Sequence, residues 1–277
     1  MNNGLQAWHW ECPKCGYENA ELEPAINQTI AHEQIDEQSR EKGLRSLRID
    51  NFNKLLQAIV KNGQNSGTIL DVGCAHGWFL EAAKNNGFEV LGIEPDLNVY
   101  KATSERGLPV RQGFFPGALS ANEKFDVIVF NDVFEHIPDV EAVLAGCRAH
   151  LNAGGMLVLN LPSSQGVFYK LARLLSRLGF NGFFERLWQK GLPSPHLHYF
   201  NSKNLHRLLQ DNDFEVVAAG RLSTLRLKGL FTRVSYTGDH SLPVRLLICL
   251  AVALAFPILL LMPSDIIYSL SNKKESE

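Results

Sequence analysis

Three groups of residues in this chain have types and spacings that could do chemistry. The first is the loop Asp71-Val72-Gly73-Cys74-Ala75-His76-Gly77, which follows the apolar run Thr68-Ile69-Leu70 and leads into Trp78-Phe79-Leu80-Glu81-Ala82-Ala83. The second is Glu94, at the end of Val90-Leu91-Gly92-Ile93 and about 20 residues on, the spacing at which an acid receives a ribose diol. The third is Glu135-His136, after the apolar run that begins at Phe125. A strand that feeds a glycine-containing turn and then a helix is where open parallel sheets hold small ligands. Gly73 and Gly77 let the backbone turn sharply and come close to such a ligand. Two strands and two carboxylates describe a nucleoside site.

The loop also discriminates among nucleosides. A dinucleotide fingerprint reads Gly-x-Gly-x-x-Gly and sets pyrophosphate on the helix N-terminus. Here the pattern is acid-x-Gly-x-Ala-x-Gly, and the Asp71 carboxylate would repel pyrophosphate but suit a ligand that carries an ammonium and a sulfonium. The expected cofactor is S-adenosylmethionine. Asp71 would attract its methionine end, the backbone at Gly73, Cys74 and Ala75 would pack on it, and Glu94 would accept both ribose hydroxyls, with Asp96 a weaker neighbour. The rival readings are a nicotinamide-dependent oxidoreductase, which Asp71 disfavours, and a non-catalytic adaptor that kept the fold.

The segment from Ile69 to Gly77, together with Gly92-Ile93-Glu94-Pro95-Asp96, resembles the motifs of class I S-adenosylmethionine-dependent methyltransferases. Phe125-Asp126-Val127-Ile128-Val129-Phe130-Asn131-Asp132-Val133-Phe134-Glu135-His136-Ile137 resembles their fourth strand and following turn. Pro193-Ser194-Pro195-His196-Leu197-His198-Tyr199-Phe200 is similar to a late segment of the bacterial branch that includes the ubiquinone-pathway O-methyltransferases. The resemblance runs from about residue 51 to residue 220 and implies roles. Asn131 and Asp132 line the methionine end of the cofactor, Gln112 meets the adenine amino group, and Phe114 covers the ring. Ala75 stands where the family has glycine, which implies a loop slightly farther from the ligand. In ubiquinone-pathway relatives a carboxylate-x-x-Glu-His run can bind a divalent ion, and Asp132, Glu135 and His136 fit that spacing.

Methyl transfer is an in-line displacement, so the protein must align the acceptor and, for a hydroxyl, remove a proton. His136 is the expected base, since neutral imidazole takes a proton near pH 7. Glu135 is its neighbour, and Glu-His as a purely structural helix start is the alternative. His196 and His198 are further substrate-side candidates, because their loop should return over the site.

The elements that must position these groups follow from the patterning. Apolar strands near 68–72, 88–93, 108–112, 125–130 and 155–160 alternate with helical stretches, which predicts an α/β, doubly wound, mostly parallel seven-stranded sheet. Residues 214–219 and 230–236 are the expected antiparallel edge hairpin. Leu47, Phe52, Leu55, Leu56 and Ile59 recur at helical spacing and predict a helix ahead of the first strand. The methyltransferase domain is expected over 44–237. With 27 basic and 29 acidic residues there is no field for a nucleic-acid backbone, and a nucleic-acid partner is not expected. Met1 to Trp10 lacks the pattern of a secretory signal, so a cytosolic location is expected.

Two extensions flank this domain. Cys12-Pro13-Lys14-Cys15 in 1–17 looks like one knuckle of a zinc ribbon, but a tetrahedral site needs two more ligands and only His9 or His32 are near in sequence. A degenerate knuckle serving as a tight turn is therefore expected, followed by an acidic lead-in over 18–43. Within the domain, 165–191 places Phe168, Leu171, Leu174, Leu175 and Leu178 on one helical face among Lys170, Arg173, Arg177, Arg186 and Lys190, the composition of an interfacial helix or a lid. Residues 246–262 are uncharged, interrupted by Pro257, and preceded by Arg221, Arg226, Lys228, Arg233 and Arg245. This marks 238–277 as an apolar tail that associates through 242–263 with the cytoplasmic membrane face, inserting shallowly rather than crossing. The expected acceptor is a small molecule or glycan that is amphipathic or lipid-linked, methylated on oxygen.

Overall fold

The computed structural model describes residues 1–26, 37–227, 229–236 and 241–274. The chain opens with β1 (Asn2–Asn3), β2 (His9–Glu11) and β3 (Glu18–Ala20), followed by helix α1 (Glu37–Lys61). Then come β4 (Thr68–Val72), α2 (Trp78–Asn85), β5 (Glu89–Glu94), α3 (Leu97–Glu105), β6 (Val110–Gln112) and β7 (Phe125–Asn131). Next are α4 (Val140–His150), β8 (Leu151–Pro162), α5 (Val167–Arg177), α6 (Gly182–Leu187), β9 (His198–Tyr199) and α7 (Ser202–Asp211). The chain ends with β10 (Phe214–Leu222), α8 (Leu230–Tyr236), α9 (Leu242–Leu261) and β11 (Ile266–Lys273). Among the described residues the main sheet has the order β10-β11-β8-β7-β4-β5-β6, and β4, β5, β6, β7 and β8 run parallel.

Alternation along the strands builds the two sides of this sheet, because successive side chains of a strand point to opposite faces. Leu70, Ile128, Phe130, Leu157 and Leu159 face one core, which Val143, Leu144 and Cys147 of α4 and Leu205 and Leu209 of α7 complete. Ile69, Val127, Val129, Met156 and Val158 face the other, closed by Phe52, Leu55, Leu56 and Ile59 of α1 and by Phe79 and Ala83 of α2. The doubly wound architecture expected from the patterning is the one observed.

The last strand is not where the pattern placed it. Residues 230–236 form the helix α8 rather than one arm of a hairpin, and the partner of β10 is β11, which pairs antiparallel with β10 on one side and β8 on the other. Ile266 lies opposite both Leu222 and Pro162. The boundary at 237 is therefore corrected. Residues 238–277 are not an appended tail, because their last strand belongs to the sheet and the apolar helix α9 sits in an excursion between two neighbouring strands. The strand escaped notice because Ser269, Ser271 and Asn272 interrupt its apolar pattern, although Ser269 and Ser271 are fully buried beside β8.

The N-terminal residues also reach further than expected. Glu18 to Ala20 is not linker but strand β3, which joins β2 on one side and β9 on the other, and α1 begins at Glu37 rather than near residue 44. A satellite core of Ala20, Tyr169, Ala172, Phe184, Trp188 and Tyr199 fastens this small sheet to α5 and α6. Its polar centre is Glu18, which accepts from Tyr169 Oη at 2.6 Å and Arg173 Nη1 at 2.7 Å and lies 2.7 Å from His9 Nε2. Removing one member strands the others away from water. Glu18→Ala is expected to cost about 3–5 kcal/mol in denaturant unfolding, and to speed proteolysis around residue 20. An unchanged midpoint would show that the network does not hold the small sheet in place.

Candidate active site

The loop between β4 and α2 is pinned before any ligand arrives. Gly73 and Cys74 both donate to the Ile93 carbonyl, at 2.8 and 3.0 Å, so the loop is tied to the end of β5. A Cβ on Gly73 would meet Val133 at 2.6 Å, so a side chain is excluded there. Ala75 takes a positive φ of 45°, and two bonds hold it there: its N–H donates to Glu94 Oε2 at 2.9 Å and its carbonyl accepts from Thr103 Oγ1 at 2.7 Å. Gly77 is left-handed at the start of α2. A glycine is thus dispensable at position 75, since the Glu94 and Thr103 contacts supply the restraint.

The acids are buried at the strand ends. Asp71 is covered almost completely, and burial pushes its carboxyl up to about 8, offset in part by Asn131 Nδ2, which donates to it at 3.1 Å. Burial pushes Glu94 up to about 7 against the pull of two backbone donors, Asp96 N–H and Ala75 N–H, each at 2.9 Å. Each Glu94 oxygen has a lone pair left to accept a diol. Asp96 serves first as the N-cap of α3, accepting from Asn98 and Val99.

These groups line one end of a cavity of about 570 Å³. Gly73, Ala75, Ile93, Glu94, Asp96, Phe114, Asn131, Asp132 and His136 contribute to it, and a recess beneath the loop is lined by Asp71 and Cys74. Gln112 departs from expectation: its Nε2 donates to the Pro95 carbonyl at 3.2 Å and it lies outside the cavity lining, where Gly113, Phe114 and Phe115 stand instead. The far wall is made by Pro24 and Ile26 from the N-terminal segment and by Leu192, Pro193 and Ser194. Arg48 and Trp78 complete the near side. Sequence reading missed both: Arg48 reads as the solvated side of α1, yet its Nη2 lies 3.3 Å from Asp132 across the mouth.

The Glu135 region forms a second, deeper cluster. His136 Nδ1 lies 2.9 Å from the Pro195 carbonyl, which can only accept, so Nδ1 carries a hydrogen and Nε2 is the nitrogen that accepts a proton when the ring is neutral. His196 stands behind it, with ring centroids 4.7 Å apart. Burial, then the neighbouring His136, pushes the His196 pKa well down, and the amide of Gln189 donates to its Nε2 at 2.8 Å. Glu135 is buried and neither carboxyl oxygen has a hydrogen-bond partner among the described residues. Burial first, and Asp132 second, push its pKa well up, and Arg48 pulls it down.

Glu135, His136 and His196 each bring one ligand atom within 4.8 Å of the others. Of the expected set Asp132, Glu135 and His136, the last two stand together with His196, while Asp132 lies 3.3 Å from Arg48. The orphaned carboxyl fits a cation. His198 is not a substrate group: its Nε2 donates to the Ile137 carbonyl at 2.8 Å, its Nδ1 faces Tyr17 Oη, and it lies outside the cavity lining. At the N-terminus, Cys12 and Cys15 form the expected turn, with Gly16 N–H donating to the Cys12 carbonyl at 2.9 Å. Backbone donors at Cys15 and Lys14 lower the Cys12 thiol pKa. His9 Nε2 lies 2.7 Å from Glu18; His32 lies outside the described residues.

A family model described as a methyltransferase domain matches residues 41–219. The chain is a class I S-adenosylmethionine-dependent methyltransferase. The family is one that the expected S-adenosylmethionine site fits, and the oxidoreductase alternative has no support from it. The chain's relatives include ubiquinone biosynthesis O-methyltransferases of Paramagnetospirillum magneticum, 40% identical over 96 residues that are 33% of this chain and 39% of that protein. That of a Bradyrhizobium species is 31% identical over 110 residues, 38% of this chain and 43% of the relative. The chain thus spans about two-fifths of the length of these relatives. In fold it is similar to an S-adenosylmethionine-dependent methyltransferase of Thermotoga maritima, with a TM-score of 0.56 and 16% identity over 89% of this chain and 98% of that one. It is also similar to magnesium protoporphyrin IX methyltransferase of Synechocystis with bound S-adenosylhomocysteine, at 0.54 and 13%, covering 84% and 87%.

The raised acids give cofactor binding a pH dependence with a defined sign. Below pH 7 to 8 the empty site holds Asp71 and Glu94 largely protonated, whereas a ligand with ammonium and sulfonium charges favours the anions. Affinity for S-adenosylmethionine should therefore rise with pH from 6 to 8, by up to about tenfold per pH unit for each of the two acids that ionises, and then level off, with proton release below pH 8 seen by calorimetry in buffers of different ionisation enthalpy. Glu94→Ala should weaken binding by roughly 10–100-fold, the worth of one to two charge-assisted bonds.

Proposed function

We propose that this methyltransferase transfers the methyl group to a hydroxyl oxygen of an amphipathic or lipid-linked acceptor at the cytoplasmic face of a membrane. The observation that carries the oxygen assignment is the contact of His136 Nδ1 with the Pro195 carbonyl, which in the neutral ring makes Nε2 the basic nitrogen, on a side chain that lines the cavity with Asn131 and Asp132. Asp71 and Glu94 would hold S-adenosylmethionine, which would supply an electrophilic methyl carbon whose bond to sulfur breaks, with S-adenosylhomocysteine as the leaving group. His136 Nε2 takes the hydroxyl proton as the oxygen attacks. The Pro195 carbonyl steadies the imidazolium through Nδ1–H, and the Glu135 carboxyl lies 3.9 Å from His136 Nε2. Arg48 and Asp132 neutralise each other at the mouth, so the entrance favours an acceptor without strong net charge.

The far wall supports an amphipathic acceptor. Pro24, Ile26, Leu192, Pro193, Phe114 and Val99 offer apolar surface around one polar end, which suits a ring or chain that carries one hydroxyl inward. The basic insertion supports a membrane setting. Leu171, Leu174, Leu178, Phe180 and Phe183 face outward while Tyr169, Ala172 and Ser176 are buried, so the expected apolar face of α5 is the exposed one. Lys170, Arg177 and Arg186 stand exposed around it.

A second reading is favoured by the orphaned Glu135 alone: a divalent ion held by Glu135, His136 and His196 would lower the acceptor's pKa in place of the histidine base. The two readings separate in one experiment. His136→Ala should lower turnover by about 10²–10⁴-fold with S-adenosylhomocysteine binding unchanged, and the wild-type rate should survive chelation. Loss of rate on chelation, restored by manganese in wild type but not in His196→Ala, would assign the activation to the ion. Unchanged turnover in His136→Ala at every pH would remove His136 from the reaction.

A further inference from the structure

The excursion between β10 and β11 carries a helix that the protein itself does not cover. All 20 residues of α9 are apolar apart from Arg245, with a mean hydropathy of 2.7, and none is buried. Leu247, Leu250, Leu254, Ile258 and Leu261 recur along one exposed flank, while Ile248, Val252 and Leu259 on the opposite flank are half-covered. We infer that α9 is an in-plane anchor, seated in one leaflet of a lipid bilayer, that holds the cavity mouth against the membrane. It deepens the reading above, which supplies the acceptor; the anchor itself follows from topology.

The length of α9, about 30 Å, equals the thickness of a bilayer core and by itself would suit a crossing. Its ends forbid one. Leu222 and Ile266 are paired neighbours in the sheet, so the excursion leaves and returns at the same point. At its start, Asn51 and Ser223 exchange two hydrogen bonds, at 2.9 and 3.1 Å, Arg226 pairs with Asp50, and Leu230 and Val234 of α8 are buried. From Tyr236 the chain reaches at most ~20 Å before α9 begins. At its end, the Pro263 carbonyl accepts from Val167 N–H at 3.1 Å and the Asp265 carboxylate accepts from Tyr169 N–H at 2.8 Å. Neither end of α9 can reach the far side of a core about 30 Å thick while these contacts stand.

The same pairings fix the orientation. Leu222, Ile266 and Pro162 lie together at the carboxyl edge of β8, the edge at which β4 and β7 deliver Gly73 and Asn131 to the cavity. Asp265 caps the start of α5, so α9 leaves the protein beside the outward apolar face of that helix and its exposed Lys170 and Arg177. One side of the molecule therefore carries the cavity, the apolar helix and exposed positive charge. An anionic leaflet matches all three, whereas a second copy of this chain would bring the same positive charge against itself.

Flotation with vesicles of phosphatidylcholine and phosphatidylglycerol tests the anchor, using the full chain and the triple variant Leu250→Glu, Leu254→Glu, Ile258→Glu. These side chains are exposed, so S-adenosylhomocysteine binding should be unchanged and reports that the variant is folded. Wild type should float, the variant should lose at least about 100-fold in partitioning, and protease added outside the vesicles should cut N-terminal and C-terminal tags alike. Equal flotation of the variant, or a protected C-terminal tag, overturns the proposal. So does a wild type that stays with the lipid-free fraction as a dimer that the variant dissolves, which would make a second copy the occupant. Flotation is read without turnover, so failure to find a methylated acceptor would count against the proposed function and leave the anchor standing.

Discussion

The antiparallel threading of β11 between β8 and β10 is the pairing on which the rest of the molecule depends. A strand in that place satisfies the hydrogen-bonding edges of both neighbours and buries Ile267 and Leu270 on opposite faces of the sheet. The residue just before it, Asp265, caps α5, and α5 carries Tyr169 and Arg173 into contact with Glu18 of the N-terminal sheet. A single strand thus links the core sheet, the insertion beside the cavity and the N-terminal segment. It also makes the apolar helix an internal excursion, whose ends cannot separate without breaking the sheet.

The site itself is an electrostatic compromise. Asp71 and Glu94 are held in places where burial opposes their charge, and the sheet meets that cost with a few directed donors: Asn131 for one, the Ala75 and Asp96 amides for the other. Such groups are unfavourable without a partner and favourable beside a cation, so the protein is arranged for a positively charged ligand before that ligand binds. Glu135 follows the same logic at a deeper level, with neither oxygen bonded. Around it, His136 and His196 differ by environment: one lines the cavity with its tautomer set by a carbonyl, and the other is buried and kept neutral.

The N-terminal turn of Cys12 and Cys15 docks through its backbone. The Cys15 carbonyl accepts from Asn201 and Asn204, which also cap α7 reciprocally, so the turn docks on the start of that helix. Further along, Pro24 and Ile26 become cavity wall. A segment that reads as acidic linker therefore shapes the cavity, through β-pairing with His198 and Tyr199, far away in the chain. Patterning cannot show this, because β3 and β9 are too short to have a period of their own.

Local sequence determined a good deal here. The loop from Asp71 to Gly77, Glu94 and the apolar runs of β4, β5, β7 and β8 identify the cofactor, the parallel sheet and its edge, because each depends on residues close together in the chain. Glu135 and His136 were legible as a pair for the same reason. What only the tertiary structure decided depends on distant partners: Arg48 crossing to Asp132, His196 beside Glu135, Gln112 turned away to Pro95, and a polar-looking final strand inserted between β8 and β10. Burial in a sheet interior overrode the polarity of Ser269 and Ser271, since pairing on both sides supplies the backbone partners that water otherwise would. The apolar run was visible in the sequence; that both of its ends return to one edge of one sheet is a fact of topology, and it comes from hydrogen bonds between residues more than forty apart, on the order of the separation of Leu222 and Ile266.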